Sequence, residues 1–219
     1  MAIDLIFQAY GYAVMAPADV SFIEALQSGK LYEAYVLSNV VADLVDRGFN
    51  VTFQPAAVGA PAAFAFKGGA GIIDLNDAHF VINLPRSQTL RLLVDIEFDG
   101  LGSTRGTVAD YSLRHELDIV VTEATAGYPA HHEIFLGVEC KAVANFEKSI
   151  VKEVLGVRRE MSLLASRRRS RLSKLSLVPP VIVPASPASE MWLAYIDDRG
   201  DDYMDSPRQF GIELRNLVP

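Results

Sequence analysis

The sequence predicts an α/β fold, a mixed central sheet flanked by helices, and three observations carry that expectation. Half of the 219 residues are hydrophobic and 21% are charged, which suits one domain with a sizeable core. Two stretches of helical periodicity, residues 30–47 and 146–165, bracket a run of strand-like segments. Two of those segments carry charges at positions that a strand core normally excludes.

Taken in order, residues 2–15 are fairly apolar but contain Asp4 and Gln8. They lack a basic leader and fall short of the roughly 20 residues that a membrane span needs, so they read as a buried element of a cytoplasmic protein. Residues 17–27 read as a short helix closed by Ser28 and Gly29. Residues 30–47 form a longer helix stopped by Gly48, with Glu33, Leu37, Val40 and Leu44 on one stripe. Residues 50–99 are mainly β, with strands expected at 51–54, 62–67, 79–84 and 90–98. The glycines at 68, 69 and 71 suit a hairpin turn. No Gly-Lys-Ser/Thr follows them, so they do not form a phosphate-binding loop, and Gly29-Lys30-Leu31 fails the same test.

A polar loop over 100–114 leads into two strands, 114–122 and 133–143, joined by a hairpin through Gly127 and Pro129. The helix over 146–165 places Ile150, Val154, Val157, Met161 and Leu164 on one stripe, and runs into a basic cluster. Residues 177–189 are rich in Pro and Ser and read as an extended loop. Strands follow at 191–196 and 210–214, separated by an acidic turn.

The single cysteine, Cys140, excludes an internal disulfide and a multi-cysteine zinc site. A net charge of −7 argues against a nucleic-acid binder, but the distribution is uneven. Between residues 158 and 174, Arg158, Arg159, Arg167, Arg168, Arg169, Arg171 and Lys174 face one acid, Glu160. The local balance is +6, leaving −13 on the rest. Phosphate binding follows the local field, so the cluster could contact nucleic acid, a partner's acids, or nothing.

The chemistry is expected on the paired strands. Side chains alternate along a strand, so Glu116 and Asp118 share one face, as do Glu139 and Lys141. Asp118, Glu139 and the backbone carbonyl of Cys140 would offer oxygen ligands to Mg²⁺ or Mn²⁺, with Lys141 beside them to stabilise charge on a phosphodiester. Glu33 is either a first-turn acid satisfying the helix dipole or a carboxylate aimed into the same site. Arg158 reads as a phosphate contact or an ordinary salt bridge.

The set Gly29-Lys30-Leu31-Tyr32-Glu33, Glu116-Leu117-Asp118-Ile119-Val120-Val121 and Gly137-Val138-Glu139-Cys140-Lys141 resembles the PD-(D/E)XK nuclease superfamily. That resemblance covers about residues 28–200 and implies a restriction-endonuclease-like core of order αβββαβ, with a β-rich insertion over about 50–88. It implies a Mg²⁺-dependent endonuclease acting on DNA in preference to RNA. Asp118 and Glu139 would be metal ligands, Lys141 the catalytic lysine and Glu33 the accessory acid. Leu117 stands where the motif has proline, and Glu116 adds a carboxylate that would serve a second metal or tune the site. The resemblance also admits a catalytically silent binding module of the same fold, a homodimer, and a defence effector switched on by a protein partner.

Overall fold

The computed structural model describes residues 28–54, 56, 70–84, 88–104, 110–176 and 179–219. The segments expected at 2–15, 17–27 and 62–67 lie outside them. Helix α1 (Ser28–Asp46) is followed by β1 (Asn50–Gln54), β2 (His79–Asn83), β3 (Thr89–Asp99), β4 (Arg114–Thr122) and β5 (Ile134–Lys141). Then come α2 (Lys148–Met161), β6 (Leu163–Arg169), β7 (Ile182–Ser186), β8 (Glu190–Tyr195), the short α3 (Asp205–Gln209) and β9 (Ile212–Asn216). Among these described residues no helix is long and apolar enough to cross a membrane.

Seven strands form one mixed sheet in the order β1-β2-β3-β4-β5-β8-β9. The first five are antiparallel neighbours, and β8 and β9 run parallel to β5. An antiparallel neighbour can follow through a short turn, whereas a parallel one needs a crossover, which α2 and the β6–β7 ribbon supply between β5 and β8. Within the expected β-rich insertion over 50–88, the described strands β1 and β2 extend the sheet beyond β3.

Each face of the sheet buries its own core. On one side Tyr32, Val36, Leu37, Val40 and Leu44 of α1 pack on Leu92, Val94, Ile119, Val121, Leu136, Val138 and Trp192. On the other, Ile150, Val151, Val154 and Met161 of α2 pack on Leu117, Val120, Ile134, Met191 and Leu193. Gly137 permits the close approach of α2. A Cβ there would stand 2.9 Å from the Met161 Cε and 3.0 Å from both Leu117 methyls.

Two sequence expectations change. The second helix ends at Met161, not near 165, and Arg167, Arg168 and Arg169 lie on β6 of a two-stranded ribbon. Residues 182–186, expected in an extended loop, form β7. The register of that ribbon shifts between Leu164 and Arg168, which breaks the period-2 signal that would have marked β6 as a strand.

Candidate metal and catalytic site

The site lies where β4 and β5 part. Their pairing runs from Thr122↔Ile134 to Ile119↔Val138 and goes no further, while the first half of β4 stays with β3. The backbone N–H of Cys140, which a continuing ladder would satisfy, instead donates to Asp118 Oδ2 at 2.6 Å. Asp118 therefore lies in the fork itself.

Alternation inverts at the same level in both neighbouring strands. Leu90, Leu92 and Val94 of β3 join the α1-side core, yet Ile96 and Phe98 join the α2-side core. On β4, Leu117 belongs to the α2 side, while Ile119 and Val121 belong to the α1 side. Pairs Val94↔Ile119 and Ile96↔Leu117 straddle the inversion, which leaves Asp95 and Asp118 opposite one another at its centre. Asp95 has φ +52°, a left-handed conformation that is uncommon for a residue other than glycine and is tolerated best by Asn and Asp.

The inversion turns both aspartates toward the first turn of α1. Ligand oxygens of Glu33, Asp95 and Asp118 lie within 4.8 Å of one another. Lys30 places its Nζ 2.7 Å from Glu33 Oε2 and 2.5 Å from Asp95 Oδ1. Asp95 is 0% exposed, and its Oδ2 has no hydrogen-bond partner. Burial, with Asp118 and Asp95 adding to it and Lys30 opposing, pushes the Glu33 carboxyl up to about 7. Burial and the Asp118 and Asp95 charges likewise raise Glu116.

Glu139 and Lys141 approach from the other side. Val138 and Cys140 belong to the α1-side core, so the residues alternating with them turn toward α2. There Lys141 Nζ contacts Glu139 Oε2 at 3.2 Å and Glu153 Oε1 of α2 at 2.8 Å. Burial opposes the Lys141 charge, but Glu139, Glu153 and Asp118 outweigh it and hold the ammonium's pKa above its ordinary value. Burial and the Asp118 charge raise Glu139, against Lys141. Burial also raises Asp118, although the Cys140 N–H stabilises its anion.

The expected residues thus meet at one fork, but not as one set. Glu33 is the inward-facing carboxylate rather than a plain first-turn acid, and it gathers with Asp118. Glu139 is not a fourth member of the Glu33–Asp95–Asp118 group; it feels Asp118 electrostatically from the α2 side. Asp95 carries no distinct sequence signal, because Asp95, Glu97 and Asp99 alternate with Val94, Ile96 and Phe98 and read as one polar strand face. The sequence assigns Lys30 no role in the site.

The basic residues stand apart from the fork. Arg158 is corrected outright: it is buried, donating through Nε to the Phe210 carbonyl, through Nη1 to Ser189 Oγ and through Nη2 to the Ser189 carbonyl. With no acid beside it, burial lowers its pKa to about 10. It ties α2 to the segments that lead into β8 and β9, and its burial does not suit a phosphate contact. Arg159, Arg167 and Arg168 are exposed, and Arg169 donates to the Ser173 carbonyl. All four lie at or beyond the C-terminal end of α2, a helix whose 14 residues span about 20 Å. Nearer the fork, Lys148 and Lys152 are exposed on the first turns of α2, the helix that supplies Glu153.

No family model matches this chain, and no curated protein or solved structure matches it either.

Proposed function

We propose that the protein is a metal-dependent nuclease that hydrolyses phosphodiester bonds, with DNA as the favoured substrate. The observation that carries this reading is the convergence at a strand fork of Glu33, Asp95, Asp118 and Glu139, with a lysine on each side. The element order supports it as well. An αβββαβ order is obtained from α1, the antiparallel β3-β4-β5 meander, α2 and the parallel β8 when β1–β2 and β6–β7 are taken as additions to it.

The residues fit a hard divalent cation. Their side-chain donors are all carboxylate oxygens, and the unpartnered, fully buried Asp95 Oδ2 marks a place where positive charge is wanted. Asp118, whose carboxyl reaches the Cys140 N–H in the gap between the two strands, would hold Mg²⁺ or Mn²⁺ together with Glu139 and the Cys140 carbonyl, and Glu33 would support them. When bound, such an ion supplies an acidified water and neutralises phosphate oxygens.

The chain's own part is positioning and charge. Lys141 stays protonated through neutral pH, so it is a charge stabiliser on the phosphoryl oxygens rather than a proton acceptor. Glu139 and Glu153 hold its ammonium in place from two sides. In the reaction a water oxygen bonds to phosphorus, an ester P–O bond breaks, and the departing oxygen takes a proton. Exposed Lys148 and Lys152 offer the approaching backbone a local positive surface. Cutting both strands would be easiest for a homodimer, and an activating protein partner would suit an effector role.

One observation favours a second reading, a silent binding module of the same architecture: Lys30 already partly neutralises the carboxylates. Nicking of supercoiled plasmid with and without Mg²⁺ or Mn²⁺ separates the two. The nuclease reading expects cation-dependent nicking by the wild type. It expects a loss of about 10²–10³-fold in Lys141→Ala, the scale for removing one charge-stabilising donor, and no cleavage by Asp118→Ala. Undiminished nicking in either variant overturns the assignment.

A further inference from the structure

Away from the fork, the last turns of α2, the β6–β7 ribbon and the residue that follows α3 enclose an apolar cavity beside unpaired arginines. We propose that this surface docks an acidic segment of a protein partner, with an apolar side chain in the cavity and carboxylates on the arginines. The proposal goes beyond the nuclease reading and does not depend on it.

Three observations support it. The cavity holds about 350 Å³ and is walled by Leu155, Leu164, Pro184 and Phe210, with Arg158 and Arg159 at its polar side. That volume lies within the roughly 300–1,000 Å³ of ordinary ligand pockets. Leu164 is 63% exposed, and Leu163, Ile182 and Phe210 are exposed as well. These are four of the seven large apolar side chains exposed among the described residues. Single apolar residues scattered over a surface are ordinary, whereas a concentration of them marks a contact.

The second observation is charge. Arg158 is buried in the cavity wall with no acid to offset it. Arg159, Arg167 and Arg168 are exposed, and among the described residues none of the three pairs with a carboxylate. Elsewhere Arg47, Arg114, Arg171, Arg199 and Arg215 each pair with an acid. The surface therefore presents guanidinium groups whose partners have to come from another molecule. The third observation is the backbone. Among the described residues β6 pairs with β7 alone, so its other edge offers N–H and C=O groups that an extended peptide can take up. Nucleic acid would satisfy the arginines but leave Leu163, Leu164, Ile182 and Phe210 bare, since its interfaces are polar. A peptide in which acids alternate with apolar residues satisfies both, because its two side-chain sets fall on opposite faces.

Fluorescence anisotropy of the full chain with a labelled peptide of alternating Glu and Leu tests this without reference to cleavage. Wild type should bind it at least about tenfold more tightly than a peptide of alternating Glu and Ser or of alternating Lys and Leu. Leu164→Asp places a negative charge at the cavity and should weaken binding about tenfold, whereas Leu164→Met keeps the apolar contact and the affinity. Reversing both charges with Arg167→Glu and Arg168→Glu should weaken it by a similar factor. All these positions are exposed, so the melting temperatures should match that of the wild type. Failure of the wild type to bind the Glu–Leu peptide overturns the proposal. Equal affinity for the Glu–Leu and Glu–Ser peptides does so too, as does undiminished binding by Leu164→Asp or by the double charge reversal. Binding of a labelled DNA duplex that the charge reversal abolishes, with no binding of the Glu–Leu peptide, assigns the arginines to nucleic acid instead.

Discussion

Two groups of buried charges, one at the fork and one at the start of β8, solve the same electrostatic problem in opposite ways. At β8, Arg47 Nη1 donates to both carboxylate oxygens of Glu190 at 3.0 and 2.9 Å, and Ser170 Oγ donates to Glu190 Oε1 at 2.5 Å. Asp43 pairs with Arg47 Nε at 2.6 Å and with Arg215 Nη2 at 3.3 Å, so two guanidinium groups face two acids. Every charge there has a partner of the opposite sign, and the group ties α1 to β8 and to the turn after β6. At the fork, among the described residues, Glu33, Asp95, Glu116, Asp118 and Glu139 are opposed by Lys30 and Lys141. Burial pushes Glu33, Glu116, Asp118 and Glu139 up toward the neutral form. A balanced buried group is architecture. The surplus of acid at the fork is what the proposed cation would offset.

Breaking the balanced group should have the largest effect. Glu190→Ala leaves the Arg47 guanidinium without its main partner in a buried place, and should cost about 3–5 kcal/mol of unfolding free energy in denaturant titration. A cost below about 1 kcal/mol, the scale of an exposed pair, would erase the contrast.

The unbalanced group should respond with the opposite tendency. Asp95→Asn removes one surplus negative charge and keeps a residue type that tolerates φ +52°. Its stability should stay within about 1 kcal/mol of wild type, the range of a change that creates no cavity and no unpaired charge. A loss as large as that of Glu190→Ala would make Asp95 a structural anchor instead of a ligand.

How much of this could be seen in the sequence follows the range of the interactions involved. Helices α1 and α2 and strands β4 and β5 declare themselves through local periodicity, and so does the pairing of Glu139 with Lys141 on one face. Helix α1 was also right in pointing Glu33 inward. What the sequence does not show is that alternation inverts on β3 and β4 together. That inversion depends on the pairing of two strands about 23 residues apart, which no period within either strand reports. Strands β6 and β7 were missed for a related reason, since their shifted register and Pro- and Ser-rich surroundings hide the alternation. Arg158 misled because seven basic residues in one stretch look alike in sequence. Only the packing of α2 on Ser189 and Phe210 distinguishes the buried one.

The account depends most on an ion settling in the fork, and anomalous scattering from Mn²⁺-soaked crystals of the wild-type protein would observe that directly. It predicts a peak within about 2.0–2.6 Å of an Asp118 carboxylate oxygen, the span of hard-cation–oxygen distances, with further oxygens from Glu33 and Asp95, from Glu139, or from both sets. A strong peak elsewhere on the molecule with none at Asp118, or no bound Mn²⁺ at saturating concentration, would contradict it.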